Sequence, residues 1–140
     1  MTASPAPRRL VEVCGAEALY LLEGSRTGRV VYTVEDVPMV RPASHVFEYG
    51  RLMVRTPVPE AALCGVVAIT YHVDAIRTAI GTGWSVTATG PAEVIDDPGE
   101  MAHHRRALRG WTHGLHDTLL RIHPQSVSGF RLARTEEVQS

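Results

Sequence analysis

Between residues 28 and 74 four apolar, β-branched runs follow one another at short intervals: GRVVYT (28–33), MVRPASHVF (39–47), RLMVRT (51–56) and VVAITYHV (66–73). Val, Ile, Thr and Tyr fill the runs, and Gly, Pro, Glu and Asp fill the gaps, the pattern of successive strands. The second and third runs are separated only by Glu48-Tyr49-Gly50, short enough and Gly-terminated for a hairpin. A chain written this way folds mainly as an antiparallel β meander.

Composition narrows the functions open to it. The 140 residues are 44% hydrophobic and 21% charged, which suits a single globular domain, 1–140, with residues 1–11 and 135–140 as flexible tails. A net charge of -1 gives no electrostatic case for binding nucleic acid or an anionic membrane. All fourteen basic residues are arginine, so neither a lysine Schiff base nor a Walker-type lysine is available. No asparagine is present, so there is no N-glycosylation acceptor. No apolar run is long enough for a membrane-spanning helix, and the opening MTASPAPRRL lacks the apolar core of a signal peptide, which points to the cytoplasm. Cys14 and Cys64 are flanked by apolar residues and read as two buried free thiols in a reducing compartment.

Around the meander the remaining elements are simple. Residues 13–23 are helical in pattern, with Cys14, Ala18, Leu21 and Leu22 on one face and Gly24 as the stop. Pro42 inside the second run predicts an edge or a local bulge, because proline cannot donate to a ladder. The run at 66–73 is nearly continuous in apolar residues and reads as a strand covered on both faces. Residues 74–82 form a polar connection. A long strand over 83–95 is bent at Gly90-Pro91, as at a barrel corner. Asp97-Pro98-Gly99-Glu100 starts a helix that runs to about residue 109. Residues 117–122 read as a short helix or turn, and 128–134 as a last strand. Several strands with short connections and few helices predict a closed or split antiparallel barrel.

No catalytic triad motif is present, and Gly81-Thr82-Gly83 lacks both the third glycine and the following helix of a dinucleotide fingerprint. His113 and His116 have a spacing that suits a metal, but no carboxylate or cysteine completes a set, so a polar surface is preferred and no metal is expected. His45 lies inside the second run, where it could meet a planar ligand or face solvent. Three strands hold the stronger constellation. Arg41, Pro42, Ala43 and Ser44 offer backbone groups around a proline together with a hydroxyl. Arg55 and Thr56 end the third run with a cation and a hydroxyl. Trp84 and Ser85 add an aromatic face and another hydroxyl.

The order GRVV, PMVRPASHV, GRLMVRT, VVAITYHVD and TGWSVTATGPA resembles the pyridoxamine 5'-phosphate oxidase-like superfamily, from about residue 14 to 132. The resemblance implies an FMN-binding split β-barrel and a homodimer that shares its cofactor sites. It also implies that Arg41 to Ser44 contact the ring edge, that Arg55 and Thr56 lead to the phosphate, and that Trp84 and Ser85 lie near the cofactor. A cation beside the ring would favour the reduced, anionic flavin, and either Arg41 or Arg55 could supply it. One stretch departs from the pattern. Similar proteins follow the Arg-Thr pair with a small loop and a cation that clamp the phosphate, whereas this chain has Pro57-Val58-Pro59-Glu60-Ala61. Two prolines remove two N–H donors and Glu60 adds a negative charge. The expected function is an FMN-dependent, or F420-dependent, oxidoreductase acting on a small substrate, with no residue assigned as catalytic. The alternative is a non-enzymatic split-barrel dimer that has lost tight flavin binding and takes haem, a metabolite or a protein partner instead.

Overall fold

Alternation of apolar and polar residues turns the β-rich runs into strands whose odd and even positions serve opposite sides of one sheet. The computed structural model describes residues 8–66, 68–77, 79–111 and 116–134. The strands are β1 (Arg8–Val13), β2 (Thr27–Val34), β3 (Val37–Glu48), β4 (Arg51–Thr56), β5 (Ile69–Asp74), β6 (Gly83–Gly90), β7 (Ala92–Val94), β8 (Thr118–Ile122) and β9 (Ser126–Arg134). They form a single antiparallel sheet in the order β1-β9-β6-β5-β2-β3-β4-β8-β7. The sheet curls without closing, a split β-barrel, as the sequence predicts. Helix α1 (Gly15–Glu23) buries Ala18 and Leu22 fully against it.

Two hairpins follow local chemistry. Glu35 and Asp36, between β2 and β3, both take positive φ, as do Tyr49 and Gly50 between β3 and β4. Two-residue turns with this hand match the twist of the flanking strands. The inner side of the sheet collects Val30, Tyr32, Ala43, Leu52, Val54, Tyr71, Val73, Val86, Ala88, Leu120 and Ile122 into one core. Burying each large side chain contributes about 1.5–3 kcal/mol. A second, smaller core lies outside β4 and β8, where Met53 and Leu119 meet Ile95 and Leu108. Helix α2 (Pro98–Ala107) covers this side, and the Asp97 carboxylate accepts the Glu100 N–H at 2.9 Å to cap it, as the sequence predicts.

Several expectations need correction. Residues 8–11, expected in a flexible lead-in, form β1 and pair with β9; residues 1–7 and 135–140 lie outside the described residues. Residues 118–122, expected as a helix or turn, are a strand. Its Leu-rich run looks helical because Leu119 and Leu120 are buried on opposite sides, in the two different cores. β5 starts at Ile69 and alternates buried with half-buried, so it is covered on one side only. Cys14 and Cys64 are both exposed: Cys14 stands at the helix N-cap, and Cys64 ends a 3-10 turn (Glu60–Leu63). Pro42 lies in a central strand, but the β4 ladder stops at Ser44, and the Thr56 hydroxyl donates to the Pro42 carbonyl at 3.0 Å. The strand therefore has a local edge there.

Candidate functional site

Register decides which side chains meet. Across the outer side of the sheet, Pro42 stands opposite Arg29, Arg29 opposite His72, and His72 opposite Thr87. Beside this row, Asp74 stands opposite Ser85, and Thr27 opposite Ser44, which faces Arg55. No element among the described residues covers the β2–β5–β6 part of this side. Trp111 walls one margin of a cleft of about 350 Å3 that Arg29, Pro42, His72 and Asp74 also line. The indole Nε1 of Trp111 is buried without a hydrogen-bond partner among the described residues.

The polar groups of this face are mutually held. Arg29 Nη2 donates to Asp74 Oδ2 at 2.9 Å, and His72 Nε2 lies 3.2 Å from the same oxygen. The other ring nitrogen of His72 is 3.1 Å from the Thr87 hydroxyl, and the Ser85 hydroxyl is 3.5 Å from Nε2. One carboxylate thus fixes a cation and an imidazole side by side. Both are about a third to a half exposed, so water screens the pairs and their stabilisation is small. The arrangement presents hydroxyl, imidazole and guanidinium groups along an open cleft.

Arg55 is committed elsewhere. Its Nε and Nη2 each donate to one Asp117 carboxylate oxygen at 2.9 Å, and its Nη1 donates to the carbonyls of Arg105 at 3.2 Å and Leu108 at 2.8 Å. The guanidinium thereby caps the end of α2 and ties the segment before β8 to β4. Hydrogen bonding to Arg55 holds the Asp117 carboxyl below its ordinary range. Ser44, only 3% exposed, donates to the Arg109 carbonyl at 2.6 Å.

His45 neither faces solvent nor lies on the outer face. It is 2% exposed, with Nε2 3.1 Å from the Leu22 carbonyl and Nδ1 2.6 Å from the Tyr71 hydroxyl. A carbonyl can only accept, so Nε2 carries the ring proton, and Nδ1 of the neutral ring accepts a hydrogen bond from the Tyr71 hydroxyl. Burial lowers the His45 pKa and raises that of Tyr71. Burial also lowers the pKa of His104, with the charge of His103 adding to the effect. For a histidine shifted down, the unfolded chain takes up the proton first, so stability is complete above the ordinary histidine pKa and is lost as pH falls below it. The unfolding midpoint therefore falls between about pH 7 and pH 5, and H45F, although less stable at pH 7, shows a flatter dependence over that range. An equally steep profile in H45F would remove His45 as a source.

The eight residues singled out from the sequence divide by side. Pro42, Ser44, Arg55 and Ser85 lie on the outer side. Ala43 and Thr56 are buried on the inner side, at 0% and 1% exposure. Arg41 shares the inner side with its partner Val30 and donates from Nη1 to the Val40 carbonyl. Trp84 packs toward Tyr20, Leu21 and Gly24 at the end of α1, away from Ser85. Arg29, His72 and Asp74, which line the outer cleft, were not singled out from the sequence. The signal was the alternation in ITYHVD, which puts Thr70, His72 and Asp74 on one side. Ala61 and Ala62 of the departing loop line a different cleft of about 560 Å3, whose lining among the described residues holds Glu35 and no cation. Among the described residues no three His, Cys, Asp or Glu side chains are grouped to hold a metal, and His113 lies outside them. No helix among the described residues is long and apolar enough to cross a membrane.

Comparison with known proteins defines the family of this split barrel. The model of the pyridoxamine 5'-phosphate oxidase family matches residues 15–131, and the chain belongs to that family. It is 37% identical over 139 residues to Rv0080 of Mycobacterium tuberculosis, an uncharacterised protein, covering 93% of this chain and 91% of the other. The fold is shared with an FAD binding protein from Mycobacterium smegmatis, at 23% identity and a TM-score of 0.67, over 88% of this chain and 98% of that one. It is also shared with a FAD-binding protein from Mesorhizobium loti, at 17% identity and a TM-score of 0.70, over 91% and 100% of the two chains.

Proposed function

We propose that this chain is a flavin-binding oxidoreductase, with FMN as the cofactor and the deazaflavin F420 as the alternative, acting on a small substrate as a cytoplasmic homodimer. The observation that carries the reading is the uncovered row Pro42–Arg29–His72–Thr87 with Ser85 and Trp111 beside it. A flavin ring needs a flat surface, donors along its polar edge and an aromatic or apolar margin. Thr87, Ser85 and Arg29 supply donors, and Trp111 supplies the margin. A second copy of the chain laid on this face would complete a closed site. When bound, the flavin supplies the hydride chemistry, and the protein supplies position, donors and exclusion of water. The names of the two FAD-binding proteins that share the fold support the same cofactor class.

The test is an absorbance spectrum of the purified protein, followed by fluorescence-quench titrations with FMN and F420. Micromolar or tighter binding is expected for one of them. His72→Trp, which fills the cleft, is expected to weaken that binding at least about tenfold while leaving the unfolding midpoint unchanged. Unchanged affinity in that variant would remove this face as the site. A colourless protein that binds neither cofactor would favour the second reading, a split barrel that has lost flavin. The favouring observations for that reading are the commitment of Arg55 to Asp117 and, among the described residues, the lack of a cation lining the cleft beside Ala61 and Ala62.

A further inference from the structure

We propose that the cleft between the start of β2 and the end of α2 is a phosphate-monoester site built on Arg26 and Arg109. For the source of the phosphate this inference rests on the flavin reading; for the site itself it does not. The cleft has a volume of about 400 Å3, and Arg26, Thr27, Ser44, His45, Leu108 and Arg109 are among the residues that line it. Two neighbouring residues of β3 hold the two arginines in place through their main chain. The His45 N–H donates to the Arg26 carbonyl at 2.9 Å, and the Ser44 hydroxyl donates to the Arg109 carbonyl at 2.6 Å. Both residues line the cleft, and neither forms an ion pair among the described residues.

The surroundings are cationic. Behind the cleft Arg55 and Arg105 share the single carboxylate of Asp117. Among the described residues four arginines (Arg26, Arg55, Arg105 and Arg109) thus stand against one acid, and none of the described residues lining the cleft is acidic. The carbonyls of Arg105 and Leu108, which would repel an anion, are already taken by Arg55. Like charges held together without a counter-charge are unfavourable, and a dianionic phosphate relieves this with several charge-assisted hydrogen bonds. Arginine suits the task because its planar fork matches phosphate oxygens. The Thr27 hydroxyl, at the mouth, adds a further donor. The cleft adjoins the outer face through Thr27, which lines both clefts. A molecule with a planar head over Arg29 and His72 and a phosphate tail at Arg26 and Arg109 would span the two, and the β4–β5 connection with its prolines would not be needed.

Inorganic phosphate is the direct probe, followed by NMR at the arginine side-chain N–H signals. Saturable shifts at Arg26 and Arg109, lost in the double variant R26A/R109A, are the expected result. The variant keeps both carbonyl anchors, so its fold is retained, and its unfolding midpoint checks this. No saturable shift, or binding that survives in the variant, overturns the site. A second titration compares FMN with riboflavin. If the phosphate belongs to the flavin, the wild-type protein prefers FMN at least about tenfold, the variant binds both alike, and the preference shrinks with salt. Phosphate binding with no flavin binding keeps the site, assigns it to a phosphorylated substrate and fails the flavin reading alone. An FMN preference undiminished in R26A/R109A overturns the proposal.

Discussion

Gly90→Ala is expected to lower the unfolding free energy by about 4 kcal/mol, enough to unfold much of a marginally stable domain. Gly90 marks the corner where one long run of sequence leaves β5 and β9 as β6 and joins β8 as β7. At this corner the chain from His123 to Gln125 closes over it. The His123 N–H donates to the Pro91 carbonyl and the Gln125 N–H to the Thr89 carbonyl, both at 2.9 Å. A Cβ on residue 90 would come within 2.7 Å of the His123 carbonyl carbon and 3.0 Å of the Gln125 nitrogen, and closer still to the His123 oxygen. All of these are backbone atoms, so no rotamer change makes room. The turn must move, and its two hydrogen bonds, worth about 1 kcal/mol each, go with it. Chemical denaturation measures the loss, and a cost under about 1 kcal/mol would show that the corner is not clasped as described.

Arg55→Ala is expected to cost about 3 kcal/mol, from the loss of charged hydrogen bonds worth about 1.5–3 kcal/mol and from stranding their partners. The Arg55 side chain reaches the Asp117 carboxylate, the Arg105 carbonyl and the Leu108 carbonyl together. Without it the end of α2 loses its cap and the small core of Met53, Ile95, Leu108 and Leu119 loses a tie. Lysine is not expected to rescue, because a single ammonium cannot pair both carboxylate oxygens and reach two carbonyls. Asp117→Asn should recover a small part of the loss in the Arg55→Ala background, since it removes a charge left with only the longer Arg105 contact at 3.4 Å. If Arg55→Ala leaves stability intact and weakens only ligand binding, the guanidinium is a binding group rather than a tie.

The strands were legible because most of them serve one side each. ITYHVD and SVTATG alternate buried with half-buried, and that period of two is visible before any tertiary contact is known. TLLRI was misread because its leucines serve two cores, which erases the period of two. The bend at Gly90-Pro91 was visible as turn chemistry, but its cause, the clasp by residues 123–125, is a long-range contact. The candidate site was half legible. Ser44 and Ser85 were identified from local pattern, and both reach the outer side. Trp84 and Ser85 were grouped because they are neighbours in sequence, yet neighbours on a strand point to opposite sides. Arg55 looked free because its partner Asp117 is 62 residues away. Arg26 and Arg109 gave no signal at all, since only the folding of β3 between them brings their backbones to adjacent anchors.

The most direct test of the outer face as the flavin site is a two-dimensional amide NMR titration of the protein with FMN. The expected result is saturable shifts concentrated on Arg29, His72, Asp74, Ser85 and Thr87, with a weaker set at Thr27 and Ser44. Shifts confined to Ala61 through Ala68, or no shifts at FMN concentrations in the hundreds of micromolar, would contradict it.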